Sequence, residues 1–330
     1  VRTERRCIGR DWLVLGQERW DGIQRRNQLL FRALAEREPE RRFLFVEIAL
    51  RARNAHAWRM PRVRRVERNI WSVQPIRPLP SALSRLSDRI EAAQIRAAAR
   101  RVGLRAPLVW TQDPHAADLL GFLDLDGLVY DLTDDWAALA RTERRRREIQ
   151  ARVERLGSRA VAVFACSRPL EIGARAWNGN VHYLPNAVDA PAGDAAAAPE
   201  LEALPRPRLG YVGTLHSARL DARLIAELAR RRPEWSIVLA GPNLLKPPDR
   251  VLLAACPNVS LLPERPHEQV PALLAGLDIG LIPHRRTDFT LSLDPLKIYE
   301  YLGAGLPVVG TGVTVPDGLG SHVVLADGVD

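Results

Sequence analysis

Two side chains near the far end of this 330-residue chain have the types and spacing to hold a phosphorylated sugar. Lys297 and Glu300 stand three residues apart, which on a helix puts an ammonium and a carboxylate on one face. Asp294 can cap that helix, Pro295 is tolerated in its first turn, and Leu296, Tyr299 and Leu302 give it an apolar spacing. Gly305 can end it before the strand-like Leu306, Pro307, Val308 and Val309. Free N–H groups at a helix start attract anions, so a phosphate can meet the helix start and Lys297 while Glu300 accepts from sugar hydroxyls. A surface helix with an intrahelical ion pair fits the same spacing equally well. Of 48 basic residues only Lys246 and Lys297 are lysine, so one of two compact ammonium groups falls in the best anion position.

A second constellation closes the strand-like run 127–133, where Asp134, Asp135 and Trp136 follow one another. Successive strand residues face opposite ways, so the two carboxylates do not share a task. Asp134 can act as general base or cation partner while its neighbour caps the next helix; capping is the plain alternative for Asp134 itself. His115, beyond the strand 107–110, can supply an imidazole from the adjoining strand end, although a lone loop histidine is more often a polar surface residue. The loop after the first strand offers Trp20, Asp21 and Arg25 as candidates for an acceptor pocket, because open parallel sheets bind ligands at their carboxyl ends, although Trp20 alone is more often a packing residue. Gly213 after the strand 208–213 is a weak phosphate-loop signal, and the absence of any Gly-x-Gly-x-x-Gly pattern counts against a nicotinamide dehydrogenase.

The elements that must position these groups alternate between strands and helices. Apolar runs at 11–16, 43–47, 70–74, 107–110, 127–133 and 160–166 read as strands, and 23–37, 84–102, 141–155 and 168–177 as helices. The segment 51–68 reads as long, exposed and arginine-rich. After 181–189 the composition turns to alanine and proline, which marks a linker. Strands at 208–213, 235–242, 258–262, 279–283 and 321–325 follow, with helices at 220–231 and 270–275, and 284–293 as an exit loop. The division is therefore 1–190, a linker at 191–207, and 208–330.

The stretch containing Asp294, Pro295, Lys297, Glu300, Tyr301, Leu302, Gly305, Pro307, Val308 and Val309 resembles the donor-binding segment of GT-B glycosyltransferases related to glycosyltransferase family 4. Tyr130, Asp131, Asp134, Asp135 and Trp136 resemble a string of bacterial cell-surface polysaccharide enzymes of that type, and Pro185, Asn186, Val188 and Asp189 resemble the end of their N-terminal domain. The resemblance implies an α/β GT-B architecture: two Rossmann-like domains with parallel sheets facing a cleft, an acceptor domain first and a donor domain second. It implies transfer of a sugar from a nucleotide-diphosphate donor to an acceptor hydroxyl with retention, without a metal or other cofactor. Glu300 falls at the ribose-binding glutamate; the motif's other glutamate falls at Ser292. Gly213 and Arg219 fall at diphosphate contacts, Thr214 where a basic residue is usual, and Glu264 and Arg265 near the nucleobase. Asp134 falls where relatives carry a histidine beside the transferred sugar. The relatives continue with further helices beyond the position of Asp330, so the resemblance implies a truncated C-terminus.

Composition sets the remaining expectations. The length suits two domains. No apolar run is long enough to span a membrane and the start lacks the apolar core of a secretory signal, so the expected location is cytoplasmic. Cys7, Cys166 and Cys256 have neither pairing nor metal-ligand spacing. The net charge of +9 resides in residues 1–70, with 18 arginines against 9 acidic residues, while the remainder balances at 30 against 30. A basic surface with few interleaved aromatics suits anionic lipid at the inner membrane face better than nucleic acid, and a merely solvated arginine-rich face suits it as well. A glycan or lipid-linked acceptor is the corresponding partner. Two rivals share the fold: a non-catalytic nucleotide-sugar binding protein, and a nucleotide-sugar epimerase.

Overall fold

The computed structural model describes residues 11–20, 25–51, 61–79, 84–188 and 195–329. Contacts divide the chain into two units, Val1–Leu184 and Pro185–Asp330. The first runs β1 (Trp12–Leu15), α1 (Arg26–Arg37), β2 (Phe43–Val46), β3 (Leu50–Arg51), β4 (Val63–Arg65), β5 (Ile70–Val73), β6 (Ile76–Arg77), α2 (Ser84–Val102), β7 (Leu108–Thr111), α3 (Ala116–Leu119), β8 (Gly127–Leu132), α4 (Glu143–Arg159), β9 (Ala162–Ala165), α5 (Arg168–Ala174) and β10 (Val181–Tyr183).

Its main sheet has the order β10-β9-β8-β7-β1-β2-β5-β4. The strands are parallel except β4, which runs antiparallel to β5. Both faces are covered, which is why strands such as Phe43–Val46 are apolar without alternation. Leu13, Leu15 and Leu44 face Ile95 of α2 and Leu156 of α4, while Val14, Phe43 and Phe45 share the opposite face with Phe31 of α1. The segment 51–68, expected to be long and exposed, contributes the short edge strand β4, in which Arg64 and Arg65 are exposed; residues 52–60 lie outside the described residues. Arg64 reaches the buried carboxylate of Glu47 at 2.6 Å, and a short arginine-rich strand is well suited to an open sheet edge.

The second unit runs α6 (Pro199–Glu202), β11 (Arg208–Val212), β12 (Leu215–His216), α7 (Ala222–Arg231), β13 (Ser236–Ala240), β14 (Asn243–Leu244), α8 (Pro247–Ala254), β15 (Val259–Leu262), α9 (Val270–Ala275), β16 (Ile279–Pro283), α10 (Asp288–Ser292), α11 (Leu296–Gly303), β17 (Val308–Thr311) and β18 (Val323–Leu325). Its sheet, β15-β13-β11-β16-β17-β18, is parallel throughout. The chain steps outward from β11 to β15, then restarts at β16 on the other side, so the crevice beyond β11 and β16 is a topological switch point.

Composition places a linker at 191–207, but Ala198 and Leu201 are buried in the second unit's core and Leu204 packs on it. Alanine and leucine at helical spacing outweigh the flanking prolines there, one of which, Pro199, opens α6. The stretch 284–293 holds α10, whose cap is the reciprocal pair Thr287 and Thr290. Among the described residues no helix is long and apolar enough to cross a membrane.

Candidate functional site

At the switch point of the second unit, Gly213 ends β11 with a φ of +134°, a conformation that favours glycine. A Cβ on it would lie 2.5 Å from Nζ of Lys297, so the missing side chain is what admits the amine. The same Nζ stands 4.8 Å from the ring centroid of Tyr211 on β11. Tyr301, one turn further along α11, fixes this approach: its buried hydroxyl accepts from the Val212 N–H at 2.8 Å. Neither Lys297 nor Glu300 forms an ion pair or side-chain hydrogen bond among the described residues, so their spacing is not used within the helix. Both are half-buried.

The start of α11 differs from expectation. Pro295 occupies the cap position and Asp294 does not cap. Its carboxylate instead accepts from the Asn186 N–H at 2.5 Å and the Tyr299 hydroxyl at 2.9 Å, because the chain returning from β10 runs beside it. Arg219, in the turn before α7, lies over the Phe289 ring at 5.9 Å and forms no ion pair among the described residues. Ser292 donates to the Phe289 carbonyl at 2.8 Å within α10. Glu264 is exposed beyond β15, while Arg265 is engaged by Glu200 at 2.7 Å. Lys297 thus lies against Gly213, and the charges of Lys297 and Arg219 both act on the residue that follows β16, with Glu300 on the same helix as Lys297.

Sequence reasoning missed His284. It follows β16 directly, is 4% exposed, and neither ring nitrogen has a hydrogen-bond partner among the described residues. Burial, together with the charges of Lys297 and Arg219, lowers its pKa to about 3. The signal was its place immediately after an apolar strand, but only strand order reveals that this strand adjoins β11.

In the first unit, β1 and β7 flank the corresponding switch point. Gln17 donates to Asp113 at 3.1 Å and Gln112 donates to Glu18 at 2.9 Å, cross-linking the two strand ends. Burial pushes both carboxyls above their usual range, against the pull of those bonds. A cleft of about 1260 Å³ opens here, lined by Gln17, Ile48, Asp113, His115, Trp136 and Arg141 among others. His115 is bound between Arg77, Asp118 and Glu91. Burial alone would lower its pKa, but the bonds to Asp118 and Glu91 and the charge of Glu91 outweigh this and raise it to about 9. The two carboxylates thus favour the protonated ring, while the Arg77 guanidinium, which can only donate, opposes it.

Asp88, Glu91 and His115 come close enough to ligate a cation, yet Arg77 already bridges both carboxylates at 2.7 and 2.6 Å. Asp124 and Asp126, two exposed carboxylates separated by one residue, precede β8 at the amino ends of the parallel strands, away from the cleft at their carboxyl ends. Asp134 follows β8, accepting from the Thr133 hydroxyl at 3.0 Å, and Asp135 caps the next turn by accepting from the Ala138 N–H at 3.0 Å. Trp20 packs edge-on against Phe45 with centroids 5.1 Å apart. Arg25 precedes α1, its N–H donating to Gln28 at 3.1 Å. Asp21 lies outside the described residues.

The chain has a GT-B fold of two Rossmann-like units, and within it residues 206–329 match the family model described as Glycosyl transferases group 1. A glycosyltransferase assigned to teichuronic acid biosynthesis, TuaH of Bacillus subtilis (strain 168), is 29% identical over 218 residues, 62% of this chain and 55% of its own length. This chain's match thus spans about half of that relative. Among solved structures, sucrose-phosphate synthase from Thermosynechococcus elongatus superposes with a TM-score of 0.70 at 14% identity, covering 97% of this chain and 87% of the other. Anabaena HepE in complex with UDP and glucose gives 0.67 at 17% identity, covering 97% and 86%. At these identities the likeness defines the fold.

Proposed function

We propose that the chain is a glycosyltransferase that moves a sugar from a nucleotide-diphosphate donor to an acceptor hydroxyl with retention, in the assembly of a bacterial cell-surface polysaccharide. The observation that carries this reading is the unpaired amine of Lys297 seated against Gly213 at the switch point, with the charge of Arg219 acting, as its own does, on the residue that follows β16. Two cations and helix N–H groups there would stabilise the charge that develops on the leaving diphosphate. They supply positive charge at the place where a divalent ion would otherwise act.

Glu300 would accept from the ribose hydroxyls, and the exposed loop at Glu264 and Arg265 would border the base. Asp134 is the proposed catalytic group at the first unit's strand ends, with His115 positioning the cleft wall as a cation. The cleft is proposed to take the acceptor in place of the packed Trp20. Ile48 and Leu139 on its lining are 51% and 42% exposed beside Arg51 and Arg141, a mixture suited to a lipid-linked glycan at an anionic membrane face. That HepE has been crystallised with UDP-glucose, and that TuaH is assigned to a cell-envelope polymer, support the donor class and the pathway type.

The test is incubation with a panel of radiolabelled nucleotide sugars and bacterial lipid extract. Label moving into a polymer or lipid fraction supports transfer; loss of donor alone indicates hydrolysis, and interconversion of free donor indicates an epimerase. Because Ser292 is bound inside α10 and Thr214 offers no charge, a binding protein without turnover is the second reading, recognised by donor affinity with no product. Flotation with anionic vesicles tests the membrane part, which fails if no salt-sensitive binding is seen.

A further inference from the structure

The buried imidazole of His284 has no structural explanation within the folded chain. Its backbone is fixed on both sides: its N–H donates to Ile282 and Thr311 at 3.0 and 3.2 Å, and its carbonyl accepts from the Thr311 hydroxyl at 2.9 Å. The backbone that carries the ring is therefore held in place, yet at 4% exposure neither nitrogen has a hydrogen-bond partner among the described residues. Native interiors rarely leave such groups unsatisfied, and an exception calls for a ligand or a proton. The position is the switch point itself, with Tyr211 edge-on at 6.0 Å between centroids and the same Tyr211 ring 4.8 Å from Nζ of Lys297.

Resting on the donor-site reading above, we propose that His284 is the third member of the anion site: on binding of the nucleotide sugar its ring takes a proton from solvent and donates a hydrogen bond to a diphosphate oxygen. The charged groups acting on the ring are Lys297 from α11 and Arg219 from the turn before α7, with the Tyr211 ring edge-on from β11 and its hydroxyl donating to the Thr214 carbonyl; no carboxylate among the described residues acts on it. In the empty site those two cations and burial hold the ring neutral. A diphosphate between them reverses the sign of the field. One anionic charge at about 4 Å in a medium of effective dielectric about 20 lifts an imidazole by roughly three pH units, which brings this ring to about pH 6. The proton comes from bulk water and no covalent bond changes.

The experiment is calorimetric titration of the whole chain with UDP-glucose and with GDP-mannose, whose diphosphate diesters keep a constant charge across the pH range used. Each is run in two buffers of different ionisation enthalpy. Uptake of roughly half a proton per bound ligand near pH 6, with affinity weakening several-fold from about pH 5.5 to 7.5, is the expected result. His284→Gln, which keeps an amide donor, should bind with no proton uptake and a flat pH profile. His216→Gln, at the other histidine near Arg219, should leave the uptake intact. Should the His284 variant not fold, the imidazole nitrogen NMR shifts of the unmodified protein, with and without ligand, read the same protonation.

Binding with identical heats in both buffers would overturn the proposal while leaving the donor site standing. Uptake that disappears in His216→Gln would overturn it as well. Binding of neither nucleotide sugar would remove the donor site and the inference together.

Discussion

Lys297 reaches its place because Gly213 has no side chain, and two substitutions separate the charge from the space. Lys297→Ala is expected to lower kcat/KM by about 10²–10³-fold, the usual cost of losing one stabilising group at a developing anion, in a steady-state transfer assay. Gly213→Ala should be nearly as damaging although it removes no charge, since its Cβ claims the volume of the amine and its φ of +134° strains any other residue. An alanine at 213 with unaltered donor affinity would refute the close approach. The spacing of Lys297 and Glu300 was legible in the sequence because both lie on one short helix. His284 was not, because its burial depends on two strands far apart in the chain becoming neighbours. A capping role for Asp135 was legible beside the strand end, whereas the role of Asp294 required the structure, since a carboxylate beside a turn can accept from several groups and only packing selects them.

At the scale of elements, α11 is anchored by Tyr301, whose hydroxyl accepts from Val212 and whose ring lies against Gly280 with no room for a Cβ there. Tyr301→Phe leaves the Val212 N–H unpaired in the core and should cost about 1–3 kcal/mol in urea unfolding, with KM for the donor rising more than kcat falls. In the first unit, Arg26 of α1 holds the fully buried Asp131 of β8 through two bonds of 3.0 and 3.1 Å, and also donates to the Leu184 carbonyl at 2.9 Å. Asp131→Asn removes the buried charge opposite the guanidinium and replaces one acceptor oxygen with a donor, and is expected to destabilise by about 1–3 kcal/mol, read from the shift of the denaturation midpoint. The helices α2 and α9 match the ranges expected from the sequence, although the buried face of α2 carries Ser87, Asp88 and Glu91 beside Ala92 and Ile95. Helix α8 had no such signal: it opens on two prolines, which read as a break although the first turn tolerates them.

At the scale of the whole molecule, seven of the eight tryptophans fall in the first unit, so intrinsic fluorescence follows its unfolding separately from the second. The raised pKa of His115 gives that unit a pH dependence of definite sign. A histidine at about 9 when folded and about 6.5 when unfolded contributes stability in full below about pH 6.5, and the contribution disappears as pH rises through 9. A loss of about 2–3 kcal/mol between pH 6.5 and 9.5 is expected from fluorescence-monitored urea titrations, with His115→Gln flattening the slope. The excess positive charge of residues 1–70 belongs to this unit too, which is why vesicle binding is best sought with the entire chain. The chain holds only two lysines, and one of them presents an unpaired, half-buried amine beside a glycine. Reductive labelling with pyridoxal phosphate, an aldehyde that carries its own phosphate, should therefore mark Lys297 ahead of Lys246, and a bound nucleotide should shield it. The scarcity of competing amines turns this residue into a built-in attachment point for a reporter that senses donor occupancy.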